Sequence, residues 1–291
     1  MYAITGISGR VGGTLARTLL ANGQRVRAVL RDPRKGEKWA ALGCEIAVAA
    51  MHDASALTAA FTGATAAFVL PPPFFDPAPG YAEMRRVVDA VAAALRRAGP
   101  DRVLCLSTIG AQSKQDNLLT QLSMVEAALS ALPMPVTFLR PGWYLENAAW
   151  DLPSARESRL IQSFLVPLEK PVPMVSTGDV GRVAAELIQS EKPERAIVEL
   201  EGPRRVSPND LAAEFARALS STVRAVAVPR NTWEALFRSQ GMKNPVPRMR
   251  MLDGFNDGWI DFAGTATNTI KGRIDVREVV DALVNGSEED R

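Results

Sequence analysis

Histidine is nearly absent from this 291-residue chain, which has one, and cysteine and tyrosine are scarce at two and three. A single histidine excludes a multi-histidine metal site, no other metal-ligand cluster is visible in the sequence, and no metal is expected. Cys44 and Cys105 both lie in apolar, strand-like runs. They read as buried free thiols rather than a disulfide, and a reducing cytoplasm is the expected setting. No apolar run reaches transmembrane length. The first residues read directly as a strand, with no room for a leader peptide. The net charge is only +2, so nothing in the balance points to nucleic acid or to an anionic membrane. Internal repeats and low-complexity tracts are also missing.

Glycine, by contrast, is concentrated at the start. In "MYAITGISGRVGGTLARTLL", Gly6, Gly9 and Gly12 recur every third residue. A short apolar run, Tyr2 to Thr5, precedes them. Val11, Leu15 and Leu19 follow at helical spacing. A strand, a glycine turn and a helix in that order make an anion site, because the helix N-terminus offers unpaired N–H groups and a partial positive charge. Glycine lets a pyrophosphate approach the backbone closely. The spacing is GxxGxxG, and its place between strand and helix predicts dinucleotide binding. Thr5, Gly6, Ser8, Gly9, Arg10, Val11 and Gly12 are the expected contacts.

The second strand, Arg25 to Leu30, ends in "RDPRK". In a Rossmann unit this strand end meets the adenosine ribose, where an acid favours a 2′-hydroxyl and arginine a 2′-phosphate. Arg31, Arg34 and Lys35 favour NADP(H) over NAD(H), and Asp32 is the one feature against it. Further strands are expected at Ile46 to Ala50, at Ala66 to Leu70, in "DRVLCLSTIG" and in "PVTFLRPGWY". Helices are expected between them: a short one over Ala56 to Phe61, one with Tyr81, Met84, Val87, Val88, Val91 and Leu95 on a face, and one through Leu118, Leu122, Val125 and Leu129. This alternation predicts an α/β fold, a Rossmann-type doubly wound parallel sheet. The dinucleotide-binding domain is assigned to 1–150. A smaller, mostly helical substrate domain is assigned to 151–291, with strands that can return to the main sheet. Within it Ser176 or Thr177 is a plausible N-cap, Ser207 caps a helix with Pro208 and Asp210 in its first turn, Thr232 is placed as a cap, and Met249, Leu252, Phe255 and Trp259 form an apolar face.

Carbonyl reduction needs a proton donor beside the substrate oxygen. No tyrosine here has lysine four residues later, and Tyr81, with Arg85 at that spacing, lies on the wrong element. The segments "ITGISGRVGG", "VLRDPRK" and "TFLRPGWYLEN" (137–147) resemble the NmrA-like group of atypical short-chain dehydrogenases. The resemblance spans the chain. It implies a Rossmann domain, a small C-terminal substrate domain and a cleft between them. It also implies one of two activities: NADPH-dependent reduction of an apolar quinone, enone or related carbonyl, or non-catalytic sensing of the dinucleotide. Two departures stand out. Leu122 occupies the place of a family Lys or His four residues before Glu126, and Ala50 that of an acid reaching the adenine. His52 is an adenine-side loop residue.

Leu70, at the end of the fourth strand, and Pro71 are further expected cofactor contacts, and at the nicotinamide end the candidates are Ser107 and Thr108 at the end of the fifth. Tyr144 is the best-placed proton donor, with Ser107 as the second catalytic candidate. Phe74, Leu122, Trp143, Tyr144 and Asn147 are expected to line the substrate pocket, with Phe75 and Trp150 as further apolar wall. The expected partner is a small apolar substrate, with no nucleic acid and no membrane, and the protein is a monomer or homodimer.

Overall fold

Every residue of Tyr2–Thr5, the first strand β1, is buried, as an apolar run covered on both faces must be. The computed structural model describes residues 1–190, 196–264 and 269–286. After β1 come α1 (Arg10–Ala21), β2 (Val26–Leu30), α2 (Glu37–Ala41), β3 (Glu45–Val48), α3 (Ala54–Phe61), β4 (Ala66–Val69), α4 (Ala82–Ala98), β5 (Arg102–Leu106), α5 (Thr120–Ser130) and β6 (Val136–Pro141). The chain continues through β7 (Trp143–Tyr144), α6 (Leu152–Glu157), β8 (Leu160–Ser163), β9 (Met174–Val175), α7 (Thr177–Ile188), β10 (Ala196–Glu201), α8 (Pro208–Ala218) and β11 (Arg224–Ala227). It closes with α9 (Trp233–Ser239), α10 (Val246–Asp257), β12 (Thr269–Lys271) and α11 (Val276–Asn285).

Eight strands form one sheet in the order β12-β10-β6-β5-β4-β1-β2-β3, and all its pairings are parallel. From β1 the chain winds outward through β2 and β3, then returns to the other side of β1 as β4. That reversal opens a crevice at the carboxyl ends of β1 and β4, where ligands of open α/β sheets bind. Two apolar layers cover the sheet. On one face Leu15 and Leu19 of α1 and Val180 and Val183 of α7 join Ile4, Phe68 and Leu104. On the other, Phe61, Val87, Val91, Leu95 and Leu129 from α3, α4 and α5 meet Ala67, Val103 and Cys105.

Residues after 150 contribute to this same sheet through β10 and β12. They also supply α7, which lies against α1 so closely that a Cβ on Gly181 would be 2.5 Å from Cβ of Thr14. The rest of this half builds a third cluster around Phe215, Trp233, Phe237, Leu252, Phe255 and Val280. Two short strand pairs, β7 with β9 and β8 with β11, stand outside the main sheet.

Local signals explain most helix starts. Ser207 and Asp210 form a reciprocal capping box on α8 with Pro208 in the first turn, and the Ser176 hydroxyl caps α7 by accepting from the Gly178 amide. Three expectations are corrected. Tyr81 stands before α4 in a left-handed conformation, φ 57°, and its hydroxyl donates to Asp116 Oδ1 (2.6 Å), with the Asn117 carbonyl oxygen also within reach at 2.9 Å. Thr232 does not cap α9, because its hydroxyl donates back to the Pro229 carbonyl. Trp259 lies past α10, which is closed by left-handed Gly258. A strap joins the two halves. Asp76, in the loop after β4, accepts from the amides of Lys243 (2.8 Å) and Asn244 (2.7 Å) between α9 and α10. No described helix is long and apolar enough to cross a membrane.

Candidate functional site

The three glycines of the first turn have three different physical reasons. Gly6 has φ +65°, in the left-handed region where a side chain is strained. Gly12 is required by packing: a Cβ there would be 2.4 Å from the Gly6 carbonyl oxygen and 2.7 Å from its carbon, both rigid backbone. Gly9 has ordinary extended backbone, φ −93° and ψ 172°, and a Cβ on it would meet only the Gly6 oxygen at 3.4 Å. The fold therefore explains Gly6 and Gly12 and leaves Gly9 bare. Ser8, Gly9 and Arg10 are exposed. No side chain caps α1, and no acid lies in its first turn. Bare backbone before an uncapped helix, at the reversal point of the sheet, fits a pyrophosphate.

The rim of this turn is stitched by Thr5. Its buried hydroxyl donates to the Phe68 carbonyl (3.0 Å) and accepts from the Leu70 amide (2.8 Å). Thr5 thus holds β1 to the end of β4, and the donor of its hydroxyl is engaged within the protein. Leu70 is half-buried and Pro71 buried. A cleft of about 400 Å³ opens beside the turn, with Arg10, Arg17, Lys38, Glu146 and Glu278 among its lining residues.

At the end of β2 the charges sort themselves. Asp32 accepts from the Arg34 amide and pairs with the Arg34 guanidinium through both oxygens, each at 3.0 Å. The Arg34 side chain holds the Asp32 carboxyl below its ordinary range. The acid that weighs against a 2′-phosphate is thus tied to its neighbour. Arg31 and Lys35 are exposed; both lie within the field of the Asp32 carboxylate, whose direct ion pair is with Arg34.

The opposite end of the crevice lies past β5. Ser107 is 6% exposed, and its hydroxyl donates to Glu126 Oε1. Arg140 of β6 grips Glu126 with Nε to Oε1 (2.8 Å) and Nη2 to Oε2 (2.6 Å), and donates from Nη1 to Gln112 (3.0 Å). Thr108 is half-buried. Leu122, one turn before Glu126 on α5, is half-buried and outside the three apolar clusters. Phe74 is half-buried against the α3–α5 layer, with its carbonyl held by Gln121 Nε2 at 3.0 Å. Phe75 and Trp150 are 59% and 69% exposed and wall nothing off.

Tyr144 and Trp143 form β7, and alternation sends them to opposite sides. Trp143 packs edge-on to Phe255 at 5.3 Å in the cluster of the second half. Tyr144 packs against the layer beneath the glycine turn. Its hydroxyl has no hydrogen-bond partner among the described residues. Burial, and then the Glu146 charge, raise its pKa above the ordinary tyrosine value, so it stays protonated. Asn147 lies three residues on, in the 3₁₀ turn Leu145–Trp150, which Tyr144 precedes in extended conformation. Its amide is also without a partner among the described residues. Glu146 between them faces elsewhere, accepting from the Thr177 amide and from the hydroxyls of Ser176 and Thr177 at the start of α7.

Asp151, just beyond, has no side-chain partner among the described residues, and burial pushes its pKa up from 3.8 to about 6. A raised carboxyl pKa means that ionisation opposes folding. The penalty is absent below the ordinary value, grows as pH rises toward 6 and is complete above it. Asp151→Asn is expected to stabilise the protein by about 1–3 kcal/mol at pH 8, a rise of a few degrees in Tm, and to have no effect near pH 4. Thermal melts at the two pH values check this.

The Arg140–Glu126–Ser107 chain was not visible as a unit in the sequence, since it joins three elements. The signals were separate: Ser107 as a strand-end hydroxyl, Glu126 as a match to a family position and Arg140 within the "TFLRPGWYLEN" segment. Asp76 gave no signal at all. The NmrA-like family profile matches residues 2–257. The NAD(P)H azoreductase of Xenophilus azovorans is 25% identical over 244 residues, 83% of this chain and 82% of that protein. Quinone oxidoreductase 2 of Escherichia coli (strain K12) is 24% identical over 251 residues, 86% and 85% of the two chains. The crystal structure of an NADPH-dependent quinone oxidoreductase from Escherichia coli, complexed with NADPH, superposes with a TM-score of 0.77 at 22% identity, covering 98% of this chain and 95% of that one. With the profile spanning most of its length, over a parallel sheet that carries a glycine turn at its reversal point, this chain belongs to the NmrA-like family.

Proposed function

We propose that the chain is an NADPH-dependent oxidoreductase that passes hydride to a flat apolar acceptor, a quinone, enone or related carbonyl. The observation that carries the reading is Gly9, a glycine the fold does not need, beside an uncapped helix at the sheet's reversal point. When bound, the reduced nicotinamide supplies the hydride. The turn from Gly6 to Gly12 holds the pyrophosphate, and Arg31 and Lys35 take the 2′-phosphate. Phe74 and Leu122 exclude water from the acceptor. Tyr144, which precedes the 3₁₀ turn, and Asn147 within it, both with unpartnered donors, hold O–H and N–H protons toward an acceptor oxygen. The relatives named NAD(P)H azoreductase and quinone oxidoreductase 2 support a reductase.

A second reading, a dinucleotide sensor without turnover, is favoured by Leu122, which cannot donate a proton. One sample separates the two. The protein is titrated with NADPH and NADH, and the reduced-nicotinamide absorbance is then followed with quinones and enones. NADPH binding with steady oxidation supports the reductase. Binding without oxidation across the panel gives the sensor, and no binding of either nucleotide overturns both. Arg31→Ala is expected to weaken NADPH by about ten- to a hundredfold, the loss of one or two charge-assisted hydrogen bonds, and to leave NADH within about twofold. In the same assay Tyr144→Phe should lower turnover about a hundredfold, in the range of one proton-donating group, with NADPH affinity unchanged.

A further inference from the structure

Ser107 is the first residue after β5, at the carboxyl edge of the sheet where the nicotinamide half of a dinucleotide would lie. Its surroundings fix more than its position. The Arg140 guanidinium is bound bidentate to Glu126, with Arg140 and Glu126 4% and 9% exposed. A buried, bidentate partner keeps Glu126 a carboxylate, which can only accept. The Ser107 oxygen sits against Glu126 Oε1, and two oxygens at hydrogen-bond distance need a proton between them. That proton can come only from Ser107. A hydroxyl has one donor and two lone pairs. With its donor held inside the protein, Ser107 can offer only lone pairs outward.

We propose that Arg140 and Glu126 are positioning residues that lock Ser107 as a hydrogen-bond acceptor for a donor on the nicotinamide half of the dinucleotide, an N–H of the carboxamide or a hydroxyl of its ribose. The proposal rests on the dinucleotide reading above. It removes Ser107 from the proton donors of the reaction. Leu122, one turn earlier on α5, adds none, so this wall of the site presents one anchored acceptor beside an apolar side chain.

Calorimetric titration tests it with three probes: NADP⁺, its nicotinic acid analogue, which lacks the carboxamide N–H, and adenosine 2′,5′-bisphosphate, which lacks the whole nicotinamide half. Ser107→Ala is the first variant, since Glu126 keeps both bonds from Arg140. It is expected to bind NADP⁺ about tenfold more weakly, one hydrogen bond, and the bisphosphate as before. Glu126→Gln lets an amide N–H face Ser107 and turns the hydroxyl around. It should also weaken NADP⁺, and combining it with Ser107→Ala should add no further loss. If the carboxamide is the donor, the analogue is insensitive to Ser107→Ala. If the ribose is, the analogue loses tenfold as NADP⁺ does. Unchanged NADP⁺ affinity in Ser107→Ala overturns the proposal, as does a parallel loss of the bisphosphate, which would mark a merely structural role. Wild-type protein that binds neither NADP⁺ nor the bisphosphate overturns the dinucleotide reading and this proposal together.

Discussion

Gly9→Val protein is expected to keep most of its stability and to lose dinucleotide binding by about a hundredfold, whereas Gly12→Ala is expected to lose about 3 kcal/mol or more of stability. The contrast follows from the two environments. Valine at position 9 enters ordinary extended backbone, with one contact at 3.4 Å. The stability penalty is about 1 kcal/mol, that of replacing a favourable N-cap residue. The isopropyl group would stand where a pyrophosphate approaches the first-turn amides. Forfeiting two charge-assisted hydrogen bonds at about 1.5 kcal/mol each gives roughly 3 kcal/mol, or about a hundredfold in affinity. At position 12 even a methyl group would meet backbone atoms at 2.4, 2.7 and 3.0 Å. Neither the turn nor α1 can yield without breaking the other, and a loss of about 3 kcal/mol or more is expected. Melting temperature and NADPH titration on both variants read the two effects separately. Normal NADPH affinity in Gly9→Val would place the phosphates elsewhere.

Asp179→Ala is expected to lower stability by about 3–5 kcal/mol, or roughly 10 °C in Tm. Asp179, on α7, is 1% exposed. Its Oδ2 accepts from the amides of Arg273 (2.7 Å) and Ile274 (2.8 Å), and its Oδ1 from Arg182 Nη2 (2.8 Å). One carboxylate thus anchors the loop between β12 and α11 to the helix that packs on α1. Alanine would leave two amides without an acceptor and Arg182 with only one of its two carboxylate partners, Glu186. Asp179→Asn, which keeps one carbonyl oxygen, should lose less. Gly272 passes so close that a Cβ on it would be 2.5 Å from Asp179 Oδ2. Gly272→Ala should therefore mimic part of the loss. Chemical denaturation of the three variants orders them.

The first half of the molecule was legible because its signals are local. Glycine spacing, an apolar strand and a 3.6-residue stripe occupy consecutive residues, so β1, the turn and α1 could be read together, as could the capping box at Ser207. The sequence misled where a short polar side chain had two local choices. Thr232 has a carbonyl three residues back as well as an amide ahead, and it takes the carbonyl. Asp32 reads as an acid facing a ribose until its pairing with Arg34 is seen. Contacts made across distance left no trace. β7 is two residues long and exists only because β9 pairs with it about thirty residues later. Arg140 could be read as part of a resemblance, but not as the residue that sets the polarity of Ser107. The return of β10 and β12 to the sheet was foreseen only as an option, since nothing in a strand's own sequence says which strand it will join.

That return decides what can be transplanted. In the parallel sheet, β6 has β5 on one side and β10 on the other. A chain ending near residue 150 would leave Val136–Pro141 with a row of bare N–H and C=O groups, an invitation to pair with another copy. It would also strip α7 from α1 and expose Val11 and Leu15 behind the glycine turn. The stretch that carries the nucleotide signature is therefore not a cassette. A chimaera that borrows this turn for another protein must carry α7, β10 and β12 with it, and segment swaps should be cut within the α8–α10 region instead.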